Sequence, residues 1–244
     1  MKKVIAFLLL SITFQHSFGT IILVFINTDS IVIAADSKGT TKSKIKNERV
    51  CKIATRNSIL FAATGYVANN EYNVIRSIGS GIGSRTVFNS DCRNSIVTSI
   101  KASLTKEMLG AKRFHREEYD SLIKKGIVTV FLVGNDDNIP SAYIYVFYCK
   151  DVGESVEVYA PEIKPFRVDK LKHGGVLVSG DIDVKNPFNE KLDKVTGEEQ
   201  NKYAIGLIEW QSKKDSSFVA PPVTIGKLTS SGVSWVNNKK CALQ

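Results

Sequence analysis

Scarce residue types exclude several kinds of site in this chain of 244 residues. Histidine occurs three times and cysteine four times, and no two cysteines stand in the C-x-x-C spacing of a zinc site. Neither a zinc site nor any other metal site is therefore predicted. The even set of cysteines allows three disulfide pairings, and free buried thiols are the alternative. The four cysteines are Cys51, Cys92, Cys149 and Cys241.

The N-terminal region also lacks an apolar run long enough to cross a bilayer. Val4 to Phe14 is an apolar segment of eleven residues, two of them polar, whereas a membrane-spanning helix takes about 20 residues. Two lysines precede this segment, and small residues at Ser17 and Gly19 follow it. This order of positive charge, apolar core and small residues is typical of a signal peptide.

Residues 1–19 are accordingly interpreted as a cleaved leader, and residues 20–244 as one domain. Removal by signal peptidase predicts a secreted or periplasmic protein without a stable membrane anchor. Self-cleavage of a propeptide, which a glycine before a threonine also suits, predicts a cytoplasmic protein instead. A buried N-terminal strand or helix is the third alternative. Both kinds of cleavage leave Thr20 as the new N-terminus.

The excess of positive charge is dispersed along the chain. The formal net charge is +9, and beyond the leader no basic run is longer than two residues. A basic surface can attract nucleic acid, but here no aromatic residues are interleaved with a basic stripe. We therefore predict no nucleic-acid partner.

Hydrophobic periodicity predicts strands in both halves of the chain with helices between them. Apolar, β-branched runs bounded by turn residues predict strands, and apolar residues at helical spacing predict helices. Strands are expected at 20–26, 31–35, 50–54, 58–64, 127–134, 142–148, 155–159, 175–179, 222–228 and 233–236, and helices at 68–78, at 95–109 and within 186–213. This order predicts an α+β fold of two antiparallel sheets sandwiched between helices.

Three polar residues at the start of the predicted domain have a regular spacing. Thr20, Asp36 and Lys52 stand sixteen positions apart. An N-terminal threonine carries its own general base, because its α-amino group titrates near pH ~7.7–8.0 beside the hydroxyl. A nearby ammonium lowers the pKa of both groups, and a carboxylate holds a buried ammonium in place. Together the three residues indicate nucleophilic catalysis by Thr20.

The stretch T-I-I-L-V-F-I-N-T-D-S-I-V-I-A-A-D-S-K-G-T at 20–40 resembles the start of a mature proteasome β-subunit. That family belongs to the N-terminal nucleophile (Ntn) hydrolases and opens with a nucleophilic threonine. The resemblance continues through V-C-K-I at 50–53 and S-I-L-F-A-A-T-G at 58–65, and V-S-G at 178–180 is similar to the family's serine segment. It implies a four-layer αββα sandwich of two antiparallel sheets between helix layers.

The resemblance also implies a role for each matching residue. The three residues spaced by sixteen are the nucleophile, its supporting carboxylate and its lysine. Gly65 donates its N–H to the oxyanion, and Ser179 orients the α-amine. The family's late D-x-x-S-G-G segment is replaced here by D-S-S-F-V-A-P-P. Asp215, the first residue of that replacement, stands in for the family aspartate after a shift of one position.

The expected activity is hydrolysis of peptide or other amide bonds through an acyl-enzyme on Thr20. This chemistry needs neither a metal nor an organic cofactor. The expected partner is a peptide or amide substrate, and assembly into a homo-oligomer is left open. The alternative is a catalytically inactive, proteasome-like module that binds or assembles. Cleavage before Thr20 is required by the first function and not by the second.

Overall fold

Part of the chain is described by the computed structural model, and the functional interpretation is built on that part. The predicted leader, residues 1–19, and the candidate Asp215 lie outside it, so the predictions made for them stay predictions. The described residues are 20–37, 52–67, 72–161, 165–170, 175–180, 182–183, 185–188, 195–197, 199–214, 216 and 219–236.

Eleven strands and four α-helices are present among the described residues. The strands are β1 (Ile22–Ile26), β2 (Ser30–Ala35), β3 (Ile53–Arg56), β4 (Ile59–Gly65), β5 (Val128–Asp136), β6 (Ile139–Val152), β7 (Ser155–Tyr159), β8 (Phe166–Arg167), β9 (Gly175–Ser179), β10 (Thr224–Thr229) and β11 (Gly232–Trp235). The helices are α1 (Val74–Ile82), α2 (Ser90–Phe114), α3 (Arg116–Leu122) and α4 (Glu199–Lys214), with a 3-10 turn at Val168–Lys170.

The first sheet is built around the β1–β2 hairpin. Its strand order is β11-β10-β2-β1-β9, and all neighbouring strands are antiparallel. Ile22 pairs with Ala35, and every residue of β1 and β2 is buried. Strands covered on both faces read as continuous apolar runs, which explains the sequence of this hairpin. The hairpin's open end carries Thr20 before β1 and Asp36 after β2.

The second sheet has the order β3-β4-β5-β6-β7, and β8 pairs beside β6. The β3–β4 hairpin turns at Asn57 and Ser58, whose positive φ values of 50° and 62° suit a tight turn. Its register pairs Ile53 with Ala62. Lys52, which precedes β3, is therefore near the Gly65 end of β4.

Helices α1 and α2 start at side-chain caps and pack closely together. Asn73 accepts a hydrogen bond from the Arg76 N–H, and Asn89 accepts one from the Cys92 N–H. A Cβ atom on Gly81 of α1 would lie only 2.5 Å from the Cα atom of the α2 residue Ile96, so glycine allows this contact. None of the described helices is both long and apolar enough to cross a membrane.

Buried apolar residues form three clusters. The first joins the second sheet to α1, α2 and α3, the second takes residues from both sheets, and the third joins the first sheet to α4. Representative members are Phe61 and Leu104 in the first, Val24 and Phe131 in the second, and Phe25 and Leu207 in the third. This arrangement is compatible with a sandwich of the two sheets.

The predicted α+β class with two antiparallel sheets is confirmed. Element boundaries differ from the predicted ones, most clearly in the first two helices. The helix predicted at 68–78 begins at Val74, and the helix predicted at 95–109 extends over Ser90–Phe114. Helix α1 starts later than predicted because its cap is Asn73, and α2 starts earlier because its first turn, capped by Asn89, is mostly polar. The two-residue strand β8 was not predicted, since it is too short to show a period.

Two of the four cysteines lie in the described part of the chain, and neither forms a disulfide. Cys92 and Cys149 are free and buried. Burial raises the pKa of each thiol, which favours the neutral, unreactive form. Both therefore act as small apolar side chains of the core. Cys51 and Cys241 lie outside the described residues.

Candidate active site

Asp36 and Lys52 form a buried ion pair that joins the two sheets. Lys52 Nζ lies 2.9 Å from Oδ1 and 2.8 Å from Oδ2 of Asp36. The carboxylate side chain is 0% exposed and the lysine side chain 6%. Removing an ion of this kind from water costs several kcal/mol. Each charge therefore requires the other, and the pair fixes the end of β2 against the start of β3.

The same carboxylate also holds the backbone next to Thr20. The Ile21 N–H donates to Asp36 Oδ1 at 2.8 Å, and the Asp36 N–H donates to the Ile21 carbonyl oxygen at 3.3 Å. In a regular antiparallel pair the Ile21 N–H would reach the opposite carbonyl, and here the side chain takes that place. Asp36 Oδ1 thus links Lys52 Nζ to the peptide group that follows Thr20.

Burial lowers the pKa of Lys52 from its ordinary value of 10.5, and the charge and hydrogen bonds of Asp36 oppose this effect. A buried lysine tends to lose its proton because the neutral amine needs less hydration than the ammonium. Asp36 therefore favours the ammonium form of Lys52. Both side chains are shielded from water beside the Ile21 backbone.

Strand β9 brings Ser179 and Gly180 alongside the first residues of β1. Ser179 is half-buried and pairs with Ile22. At Gly180 the φ angle is +116°, and a Cβ atom there would lie 2.1 Å from the Thr20 carbonyl oxygen. Glycine alone combines this φ with so close an approach. Gly180 therefore allows β9 to come close to Thr20. Of the three residues in the V-S-G motif, only Ser179 was predicted as a site residue.

Gly65 ends β4, with a φ angle of +98°. A Cβ atom there would lie 2.4 Å from the Ile127 carbonyl oxygen. That oxygen accepts a hydrogen bond from the Tyr66 N–H at 2.8 Å, so Gly65 and Val128 form a pair that exchanges no hydrogen bonds. The Gly65 N–H is thus directed away from β5, toward the side of β4 on which β3 and Lys52 lie.

Two hydroxyls at this end of the sheets are buried and make no hydrogen bond within the described part of the chain. They are Ser37 Oγ and Thr64 Oγ1, in residues that are 7% and 4% exposed. Ser37 directly follows Asp36, and Thr64 directly precedes Gly65. Buried hydroxyls nearly always have a partner, so these two mark a place where another polar group is expected. Single residues of this kind have no periodic signal in the sequence.

No family model matches the chain. A search of the curated proteins also gave no match. Among the described residues there is no group of three or more His, Cys, Asp and Glu side chains that could hold a metal ion. The chemistry of the site is therefore inferred from its own geometry.

The described site residues lie at one end of the two sheets. Asp36 Oδ1 accepts from Lys52 Nζ and from the N–H of Ile21, the residue after Thr20. Ser179 reaches this end from β9, and Gly65 reaches it from the second sheet. Asp215, the sixth predicted site residue, lies outside the described part of the chain. The roles of all six in catalysis stay predictions.

Proposed function

We propose that the chain is an N-terminal threonine hydrolase that cleaves peptide or other amide bonds after residues 1–19 are removed. The proposed fold is the four-layer αββα sandwich of the Ntn hydrolases. The sequence resemblance supports it, as do helices α1–α3 on one sheet, α4 on the other and apolar residues from both sheets in one cluster. Removal of the leader by signal peptidase makes the protein secreted or periplasmic.

The single observation that carries the proposal is the shared oxygen of Asp36. A buried ion pair is often no more stabilising than apolar side chains of the same size, so a pair between two apolar sheets calls for another reason. Here Asp36 Oδ1 binds both Lys52 Nζ and the Ile21 N–H. This arrangement fixes the ammonium relative to Thr20, and perturbed ionisable groups of this kind cluster at functional sites.

Acylation uses groups on both sheets. Thr20 Oγ attacks the carbonyl carbon of the amide, and the α-amino group of Thr20 accepts the hydroxyl proton. Lys52, as an ammonium held by Asp36, lowers the pKa of both groups. The Gly65 N–H stabilises the oxyanion of the tetrahedral intermediate, and such a donor is worth about 2.7–4 kcal/mol. The α-amine then protonates the leaving nitrogen as the C–N bond breaks, which leaves an ester on Thr20.

Deacylation repeats these steps with water as the nucleophile. The α-amine accepts a proton from the water, whose oxygen attacks the ester carbonyl carbon. The C–O bond to Thr20 then breaks, the acyl group leaves as a carboxylic acid, and the proton returns to Thr20 Oγ. Ser179 orients the α-amine from β9 during both halves of the reaction. No metal or organic cofactor takes part.

Hydrolysis of a panel of N-acyl peptide amides and simple acyl amides tests this proposal. The parent protein is expected to turn over at least one member of the panel. Thr20→Ala removes the nucleophile and Lys52→Ala removes the cation, so both variants should be inactive. Lys52→Arg should also be inactive, because a planar guanidinium cannot occupy the place of a compact ammonium.

Lys112→Ala is the matched control for the lysine variants. Lys112 also forms an ion pair, at 2.8 Å from Asp151, but it lies on α2, away from the proposed site. This variant should keep the parent turnover. A Lys52→Ala protein that hydrolyses the panel at the parent rate would refute the mechanism. A parent protein that is inert toward every amide and keeps residues 1–19 would favour the inactive binding module.

A further inference from the structure

The pairing of β1 with β2 continues beyond the two strands and places Ser37 opposite Thr20. Ile22 pairs with Ala35, and the hydrogen bond between the Asp36 N–H and the Ile21 carbonyl extends this register by one residue. Antiparallel pairs alternate between those that exchange hydrogen bonds and those that do not. The next pair is of the second kind, and accordingly the Ser37 N–H turns away to the Ala220 carbonyl oxygen at 3.2 Å.

Directly opposed residues in such a pair have their side chains on the same face, with Cβ atoms about 4.5–5.5 Å apart. At that separation, rotation about χ1 can bring the Ser37 and Thr20 hydroxyl oxygens within hydrogen-bond distance. Alternation also assigns both side chains to the face of Ile22 and Ala35, which belong to the cluster built from both sheets. The second sheet packs against this face.

The Ser37 hydroxyl is a buried polar group that needs a hydrogen-bond partner. Its oxygen is buried and has no hydrogen-bond partner among the described residues. Leaving a buried hydroxyl unbonded is unfavourable. The reacting oxygen of Thr20 is the polar atom that the register places nearest to it.

We propose that Ser37 is a further catalytic residue whose hydroxyl donates a hydrogen bond to Thr20 Oγ in the mature protein. The bond stabilises the negative charge that develops on Oγ as its proton moves to the α-amine. It also selects the χ1 rotamer in which Oγ faces the substrate carbonyl. This inference rests on the proposed function, and it adds to that function a donor on the nucleophile itself.

Kinetics of Ser37→Ala and Ser37→Thr test the proposal. Ser37→Ala should lower kcat by about 10- to 100-fold, the size expected for one hydrogen bond to a charged atom, and should leave KM nearly unchanged. It should also slow labelling of Thr20 by a threonine-directed electrophile, which needs no substrate binding. Ser37→Thr keeps the hydroxyl and should restore most of the rate. The thermal midpoint of Ser37→Ala should fall only slightly, because the variant removes a single hydrogen bond.

Ser30→Ala is the control from the other end of β2. Ser30 is also buried, but its hydroxyl donates to Asp29 Oδ1 at 2.8 Å. This variant should lose stability and keep the parent kcat and labelling rate. An unchanged kcat and labelling rate in Ser37→Ala, or a change in KM alone, would overturn the role of Ser37. A parent protein that neither turns over amides nor reacts at Thr20 would overturn the proposed function itself, and the role of Ser37 with it.

Discussion

Among the single residues of the site, Asp36 is held by hydrogen bonds from both sheets. Its carboxylate accepts from Lys52 Nζ on the second sheet and from the Ile21 N–H on the first. Replacing Lys52 removes a cation from this buried carboxylate, and replacing Asp36 removes the acceptor of the Ile21 N–H. Stability depends on Asp36 because it compensates a buried charge, and activity depends on it because it positions Lys52. Variants at the two positions can separate these effects.

Lys52→Ala should cost about 3–5 kcal/mol of stability, because it removes the Lys52 counter-ion from the buried Asp36 carboxylate. Lys52→Ala combined with Asp36→Asn should recover part of this loss. The asparagine removes the buried negative charge and keeps an oxygen that can accept from the Ile21 N–H. Neither variant should have activity. Chemical denaturation of the parent, the two single variants and the double variant measures the coupling.

If the stability losses of the two single variants were strictly additive in the double variant, Asp36 and Lys52 would not interact energetically. Recovered activity in the double variant would contradict the requirement for a cation beside Thr20. Asp151→Asn with Lys112→Ala offers a matched cycle on a more exposed ion pair. Its coupling should be far smaller, since exposed pairs contribute about 0–1 kcal/mol.

The lowered pKa of Lys52 predicts a dependence of stability on pH. In the window between its folded-state pKa and 10.5, the unfolded chain binds more protons than the folded chain. Raising the pH through this window removes those protons, so the free energy of unfolding should rise. The comparison is with Lys52→Met, which has no such group. The parent-minus-variant difference, from denaturant titrations between neutral pH and 10.5, should increase with pH.

Other titrating groups should cancel in that difference. Burial raises the pKa of Tyr119 and Tyr143 above the ordinary tyrosine value, but both residues are present in the two proteins. A difference that stays flat or decreases with pH would show that the pKa of Lys52 is not lowered by folding.

At the scale of elements, the site is assembled from strand ends. Thr20 precedes β1, Asp36 follows β2 and Lys52 precedes β3. Strand β4 ends at Gly65 and β9 is followed by Gly180, and both glycines have a positive φ. At a strand end, side chains and backbone groups are not used in the hydrogen bonds of the sheet and are available to a site. At Gly65 and Gly180 a Cβ atom would overlap a carbonyl oxygen, so glycine allows each backbone to lie close to a neighbouring strand.

Gly180→Ala should abolish most activity, because its Cβ atom would overlap the Thr20 carbonyl oxygen and displace the nucleophile. Gly232→Ala is a matched control with a similar φ, +120° against +116°. Beyond its chain neighbours, no described atom lies within 4 Å of a Cβ atom built on Gly232. Both variants should lose about 1–3 kcal/mol from the strained φ, and Gly180→Ala should lose more because of the overlap, but only Gly180→Ala should lose turnover.

Equal losses of turnover in the two glycine variants would mean that the strained φ, and not the contact with Thr20, affects the site. Turnover and thermal midpoints measured on the same samples distinguish these outcomes. A Gly180→Ala protein with the parent turnover would show that β9 does not position Thr20.

The sequence predicts long elements well and their ends poorly. The β1–β2 hairpin is a dense apolar run around a turn, and it was predicted almost to the residue. The run at 79–83 is rich in glycine, which weakens a helical pattern, but α1 continues to Ile82 because Gly81 packs against α2. That contact depends on the partner helix, and no local pattern contains it.

The candidate site shows the same division. Thr20, Asp36 and Lys52 were predicted from spacing and resemblance, and Asp36 Oδ1 accepts from both Lys52 Nζ and the N–H of Ile21, the residue after Thr20. Ser37 and Gly180 were not predicted as site residues. The role proposed for Ser37 depends on cross-strand register, and that of Gly180 on a Cβ position 2.1 Å from the Thr20 carbonyl oxygen, which only the assembled sheets define.

At the scale of the whole molecule, the proposed site lies where the two sheets meet at one end. The apolar cluster built from both sheets fills the space between them, and the Asp36–Lys52 pair crosses that space beside Thr20. The packing therefore excludes water from the ion pair, which lies at the same end of the sheets as Thr20. The proposed function depends on one processing event, cleavage before Thr20, which converts its amide nitrogen into an amine.

Intact-mass analysis of the purified protein, before and after treatment with a threonine-directed electrophile, tests this account most directly. The account predicts a chain that begins at Thr20 and gains one adduct, located on Thr20. Thr20→Ala should also begin at residue 20, since signal peptidase does not need the hydroxyl, and should gain no adduct. A parent chain that retains residues 1–19 and gains no adduct would contradict the central claim.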